Sequence, residues 1–267
     1  MARSPDPSPT AAGAPTAAMI VIGDELLSGR TRDANTPHLA QALEKVGIRL
    51  REVRIVPDEE DAIVEAVRAL AARHDHVFTS GGIGPTHDDI TADAVARAFG
   101  RPVGIHPEAH ARLVTFYEAR GIGMNAARLR MARIPEGARL IDNPVSAAPG
   151  FSVENVHVMA GVPSIFREML AGLLPRLAGG VPLLVRAFLL RRPEGEIAAL
   201  LGEIAAAHPD VAIGSYPSFR ADGHETRIVL RSADPVAIEA ARAALTAAFP
   251  DLVTDENGTG GDGAGDA

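Results

Sequence analysis

Met19-Ile20-Val21-Ile22 is an unbroken apolar run closed at once by Gly23. A strand with no polar alternation must be covered on both faces, which is the pattern of a buried strand in a parallel sheet. The same unit recurs along the chain. Asn35 and Pro37 open an amphipathic segment with Leu39, Ala40, Leu43 and Val46 at helical spacing, and Gly47 lies just past its end. Leu50 to Val56 is apolar enough for a second strand. Asp58, Glu59, Glu60 and Asp61 load the start of the next helix, where negative charge complements the dipole, and Ile63, Val64, Val67, Leu70 and Ala71 supply its buried face. A third strand is expected at His76–Thr79, helices at Thr91–Phe99 and Pro107–Arg120, a polar loop around Asn143–Gly150, a strand at Val156–Met159 and a helix from Ser164.

Alternating strands and helices predict an α/β fold of three layers, a mainly parallel sheet with helices on both faces, over residues 18–178. The alternation stops at Gly179-Gly180. Beyond it, a strand (Leu183–Leu190), a helix (Glu194–Ala206), two strands (Val211–Tyr216, Glu225–Leu230) and a helix (Pro235–Phe249) predict a small βαββα domain over 181–252. The Pro-rich residues 1–17 and the Gly/Asp-rich residues 254–267 have too little apolar content to fold and are expected to be disordered tails.

Composition removes several function classes. The formal net charge is −8 with no local basic run, whereas nucleic-acid binding needs a cationic footprint; no nucleic-acid partner is expected. No Gly-x-x-Gly clamp of the KH type occurs between Val181 and Phe249. The absence of cysteine eliminates thiolate chemistry and disulfides. The only lysine, Lys45, does not follow a glycine, so there is no P-loop, and no Gly-x-Ser-x-Gly elbow anchors a serine hydrolase. Arg176 and Arg186 interrupt the longest apolar stretch, Leu173–Leu190, so no membrane partner is expected. The first seventeen residues contain no Leu, Ile, Val or Phe for a signal peptide, which makes the expected location cytoplasmic.

Ligands of open parallel sheets bind at the carboxyl ends of the strands, and three loops there carry chemistry: Gly23-Asp24-Glu25-Leu26-Leu27-Ser28-Gly29, Ser80-Gly81-Gly82-Ile83-Gly84-Pro85-Thr86-His87-Asp88-Asp89, and Ala160-Gly161-Val162-Pro163-Ser164. Gly81, Gly82 and Gly84 can let backbone amides approach a phosphate, or can serve only the geometry of a tight turn. Asp88-Asp89 suits a metal, a shared proton or a cationic ligand beside such a site; Asp89 or Thr91 equally suits a helix cap. Asp24-Glu25 can ligate a metal, hydrogen-bond a purine or pterin edge, or complement a helix dipole. Taken alone, Asp58 reads as a cap and Asp93 as a first-turn acid. Pro163 and Ser164 open a helix whose free amides favour anions. Of the histidines, His74, His76, His106 and His110 lack the arrangement of metal ligands, while His87 lies within the glycine loop.

These loops resemble those of the MoaB/Mog type of molybdopterin-binding domain, and within it the amino-terminal domain of the competence/damage-inducible CinA-like proteins. Gly23 to Gly29 followed by Asp33-Ala34-Asn35 is similar to the CinA-type opening, Val56-Pro57-Asp58-Glu59 to its acidic turn, and Gly81 to Asp89 to its Gly-Gly-x-Gly-Pro-Thr-x-Asp-Asp loop, with an aliphatic Ile83 as in that branch. Asn143 to Phe151 resembles an Asn-x-x-Gly-x-Ala-Pro-Gly-Phe segment with Ser146 replacing glycine, and Gly161-Val162-Pro163 a Pro-Gly-x-Pro element with Ala160 replacing its first proline. The resemblance covers roughly Met19 to Leu177.

It implies a small phosphorylated ligand: a nucleotide diphosphate of the ADP-ribose or FAD class, hydrolysed with a divalent metal (Mg, Mn or Co), or alternatively a molybdopterin or molybdenum-cofactor precursor that is bound without turnover. The expected ligand-binding residues are Gly23, Asp24, Glu25, Ser28, Asn35, Ser80, Gly81, Gly82, Gly84, Thr86, Asp88, Asp93, Asn143, Gly161, Pro163 and Ser164. Asp58 and Asp89 are the expected catalytic residues, and Asp24 and Asp89 the expected metal ligands. The resemblance also points to a homo-oligomer, a dimer favoured over a trimer. The apolar strand residues Leu183-Leu184-Val185 and Phe188-Leu189-Leu190 suggest that the small domain takes part.

Overall fold

The structure, a computed structural model, describes residues 13–220 and 223–255, which divide into two compact units at Gly180/Val181. Strands of the first unit are β1 (Thr16–Ile22), β2 (Arg49–Val56), β3 (His76–Ser80), β4 (Val103–Ile105), β5 (Arg133–Pro135), β6 (Arg139–Ile141), β7 (Gly150–Val153) and β8 (Val156–Met159). Its helices are α1 (Asp24–Leu27), α2 (Asn35–Glu44), α3 (Glu60–Ala71), α4 (Thr91–Ala98), α5 (Pro107–Glu118), α6 (Ala126–Arg130) and α7 (Pro163–Leu173).

The main sheet has the order β2-β1-β3-β8-β7-β6. The pairs β1–β2, β1–β3 and β3–β8 are parallel, whereas β7 and β6 return antiparallel to form one edge. Period-2 geometry explains the apolar run in β1. Ala18, Ile20 and Ile22 enter one core with Ile63, Val67 and Leu70 of α3 and Val95 of α4. Ala17, Met19 and Val21 enter a second with Leu39 and Leu43 of α2 and Phe166 and Leu170 of α7. The expected parallel-dominated, helix-covered α/β architecture is therefore observed.

Several elements extend or correct the sequence reading. Thr16 and Ala17, assigned there to the tail, belong to β1, because the amide and hydroxyl of Thr16 both donate to the Asp75 carboxylate, at 2.8 and 2.9 Å. Gly150, assigned to a loop, starts β7. A Cβ there would press on the Val158 carbonyl, so glycine lets β7 approach β8.

The second unit contains β9 (Leu184–Leu190), α8 (Glu194–Ala207), β10 (Ala212–Arg220), β11 (Gly223–Ser232), α9 (Pro235–Ala248) and β12 (Val253–Thr254), with sheet order β10-β11-β9-β12. Its own core joins Phe188, Leu190, Ile228 and Leu230 to Ile197 and Leu201 of α8 and Ile238 and Leu245 of α9. Thr254, assigned to the tail, pairs with Phe188 in this sheet. Of the other residues assigned to the tails, Pro15 accepts from the Arg49 amide and Asp255 donates its amide to the Ala187 carbonyl, while 1–12 and 256–267 lie outside the described residues. Among the described residues no helix is long and apolar enough to cross a membrane.

Candidate functional site

The carboxyl ends of β1, β3 and β8 are adjacent, and the loops leaving them surround a cleft of about 530 Å³. Close backbone approach brings these loops together. Gly81 has φ +111, and a Cβ on it would overlap the Ile22 carbonyl; one on Gly161 would lie 3.2 Å from the Gly81 Cα. The loops after β3 and β8 thus form one continuous floor.

Asn35 fastens that floor to α2. Its Nδ2 donates to Ser80 Oγ and to the Gly161 carbonyl, each at 2.7 Å. Because the carbonyl can only accept, the orientation of the amide is fixed. Its Oδ1 is buried without a partner, and the residue, 5% exposed, lines the cleft. Asp33 starts α2 by accepting from the amides of Asn35 and Thr36, at 2.9 and 3.0 Å.

The glycine loop is held from within. Asp89 Oδ1 accepts from the Gly84 amide at 2.6 Å, and Oδ2 accepts from the amide and hydroxyl of Thr86 at 2.7 and 2.5 Å. Arg130 grips the Asp89 carbonyl through Nε and Nη2, at 3.3 and 3.2 Å. Both Asp89 oxygens accept from the loop, so the carboxylate clasps it. Two of the three glycine amides assigned to phosphate are also engaged, since Gly81 donates to the Met159 carbonyl and Gly84 to Asp89. Gly82 and Ile83 retain free amides among the described residues.

Asp58 follows β2 and reaches the cleft wall, where its Oδ2 accepts the Asp24 amide at 3.0 Å. Burial, reinforced by the negative charges of Asp24, Glu25 and Asp88, raises its pKa above the ordinary carboxylate range, with the Asp24 amide opposing. The cleft lining includes the carboxylates of Glu25, Asp33, Asp58, Asp88 and Asp89. Among the described residues no group of three or more His, Asp or Glu side chains gathers as a ready-made metal cage.

Of the residues expected at the site, Gly23, Glu25, Asn35, Asp58, Ser80, Gly81, Gly82, Gly84, Asp88, Asp89, Asn143, Gly161 and Pro163 line the cleft. Asp24, Ser28, Thr86, Asp93 and Ser164 do not. Asp24 supplies its amide to Asp58, Ser28 caps α1 through the Glu25 carbonyl, and Thr86 serves Asp89. Asp93 pairs with Arg133 at 2.6 Å behind the glycine loop. Asn143 is consumed structurally. Its Oδ1 accepts from Val145 and Ser146, and its Nδ2 donates to Ser146 Oγ and the Ala148 carbonyl, so the serine replacing glycine becomes part of the rim. The sequence reading missed Arg32 and the apolar wall residues Met131 and Ile165. No local pattern marks them, because the loops that bring them in are set by tertiary packing.

Residues 18–179 match the family described as "Probable molybdopterin binding domain", and residues 182–257 match "FAD synthase, middle domain". A protein of Aeropyrum pernix is 37% identical over 212 residues, which cover 76% of this chain and 79% of that protein. A CinA-like protein of Desulfosudis oleivorans is 36% identical over 209 residues, 74% of this chain but 51% of the relative, so the chain spans about half its length. The crystal structure of CinA from Thermoplasma acidophilum, described as of unknown function, superimposes with a TM-score of 0.57 at 33% identity, covering 61% of this chain and 98% of that one.

Proposed function

The chain belongs to the MoaB/Mog-type molybdopterin-binding domain family, and on that premise we propose that its cleft binds a small phosphorylated ligand and hydrolyses the pyrophosphate of a nucleotide of the ADP-ribose or FAD class. The observation that carries this reading is the convergence of the β1, β3 and β8 loops on one cleft with Asp58 at its wall. The free amides of Gly82 and Ile83, together with the first turn of α7 at Pro163–Ile165, seat a phosphate. Asp58, whose proton affinity is raised, takes the proton of the attacking water.

A divalent cation, Mg²⁺, Mn²⁺ or Co²⁺, fits in one mode only. No protein cage exists among the described residues, but hard cations are often held by one or two carboxylates and the phosphates of the substrate. Asp24, Glu25 and Asp88 each disfavour the charge on Asp58, and a cation relieves that repulsion. Such an ion would neutralise charge developing on the phosphates. Asp89 spends part of its acceptor capacity on its own loop, and Asp24, outside the lining, acts on Asp58 more strongly than Glu25 or Asp88 does, so both stay candidates to hold the ion with Asp58.

The test is release of AMP from ADP-ribose or FAD with each metal, by the wild type and by Asp58→Asn. The expected result is release that the variant loses. No release by the wild type from either substrate overturns hydrolysis. The family description favours a second reading, a molybdopterin or cofactor-precursor binder without turnover; calorimetry with a pterin phosphate would support it by tight, metal-independent binding.

A further inference from the structure

We propose that Arg32 is the residue by which the cleft selects a ligand bearing two linked phosphates over one bearing a single phosphate; this rests on the phosphate-binding reading above. Among the described residues that line the cleft, Arg32 is the only cation, set among five carboxylates. It is exposed and its side chain forms no ion pair or hydrogen bond among the described residues. A guanidinium left unpaired beside so many acids is poised for an anion from outside the chain, and its planar fork suits phosphate oxygens better than an ammonium does.

The backbone around Arg32 is fixed while its side chain stays free. The amides of Arg30 and Thr31 both donate to the Glu25 carbonyl, at 2.9 and 3.1 Å, and Asp33 is tied to the start of α2. The adjacent carboxylate of Asp33 spends Oδ1 on helix amides instead of closing on Arg32. A second observation lies in the same segment: Oδ1 of Asn35, a residue of the cleft lining, is buried with no donor among the described residues, and buried acceptors are rarely left so. A ligand lying along 32–35 supplies that donor from a hydroxyl or amine.

Chain connectivity keeps Arg32 close to the floor. Asn35 is bonded to the Gly161 carbonyl, at the floor where the amide seat lies, and Arg32 is three residues earlier, within about 10 Å of chain. A phosphate on the Gly82–Ile83 amides leaves its neighbour in a diphosphate within reach of the guanidinium, whereas a monophosphate is held without it.

Calorimetry on the full chain with ADP and AMP, each with Mg²⁺, tests the proposal, since these ligands differ by one phosphate. The wild type is expected to prefer ADP. Arg32→Gln is expected to weaken ADP by about tenfold, the scale of one charge-assisted contact, and to leave AMP within about twofold. Arg32→Lys should recover only part of the loss, and circular dichroism melts should show both variants folded. Unchanged ADP affinity in Arg32→Gln, or equal losses for the two ligands, overturns the role of Arg32 alone. A wild type that binds neither nucleotide overturns the phosphate-binding reading, and this inference with it.

Discussion

Asp58 and Asp89 are both carboxylates at the mouth of one cleft, and their hydrogen bonds give them opposite parts. Asp89 accepts three donors of its own loop, so Asp89→Asn turns an amino group toward the Thr86 amide or hydroxyl and should cost about 1.5–3 kcal/mol, read as a lower urea midpoint, along with ligand affinity. Asp58 is held in a neighbourhood that disfavours its charge. Its folded pKa is raised, so the folded state binds the proton more tightly, and stability falls as pH rises from the ordinary carboxylate range through the raised value. Asp58→Asn should therefore remove activity while leaving stability at pH 7 equal or slightly greater, by no more than about 0.5 kcal/mol because water reaches the group. A clear loss of stability in urea titration would mean that Asp58 is structural. The sequence supplied the acids and their loops, but whether a carboxylate is spent or available depends on donors several residues away in space, such as the Asp24 amide 34 positions earlier.

Among the elements, the strands with long apolar runs were legible and the short return strands β6 and β7 were not. Three or four residues carry too little periodicity, and what defines β7 is Gly150 fitting under the Val158 carbonyl. The glycine loop after β3 was legible as a turn, though its engaged amides were not. Gly81→Ala must adopt φ +111 and press on the Ile22 carbonyl, which predicts a loss of roughly 1–3 kcal/mol and of ligand binding, checked by thermal melts and calorimetry. The sheet also buries a histidine for which the sequence offers no signal. His157 on β8 contacts Phe78, with ring centroids 5.2 Å apart, and its Nδ1 lies 2.9 Å from Ser152 Oγ. Burial first, then the charges of His76, Arg139 and Arg176, lower its pKa to about 3. The folded ring stays neutral where an unfolded histidine takes a proton, so stability falls as pH drops from about 6.5 toward 3, by about 1.4 kcal/mol per unit at most. Urea midpoints at pH 7, 5 and 4 should decline less steeply in His157→Gln than in the wild type; equal slopes would remove His157 as the cause.

At the scale of the molecule, the two units have separate cores, and every residue lining the cleft lies between Val21 and Ile165. A chain ending at Gly180 should therefore fold and bind with unchanged affinity. Self-association is expected of the whole chain as a dimer, and the second unit is the part expected to promote it. Folding of that unit uses some of the apolar surface on which the expectation rests, because Phe188 and Leu190 of β9 are 4% and 0% exposed inside their own core. What remains is partly buried Leu184, Val185 and Leu189, with exposed Val253 on the neighbouring β12. Apolar surface of this kind on a sheet face is adhesive unless another surface covers it. Light scattering on the full chain and on the chain ending at Gly180 separates the possibilities: a dimer that becomes a monomer on truncation is the expected outcome, a full-length monomer rejects self-association, and an oligomer that survives truncation moves the interface to the first unit.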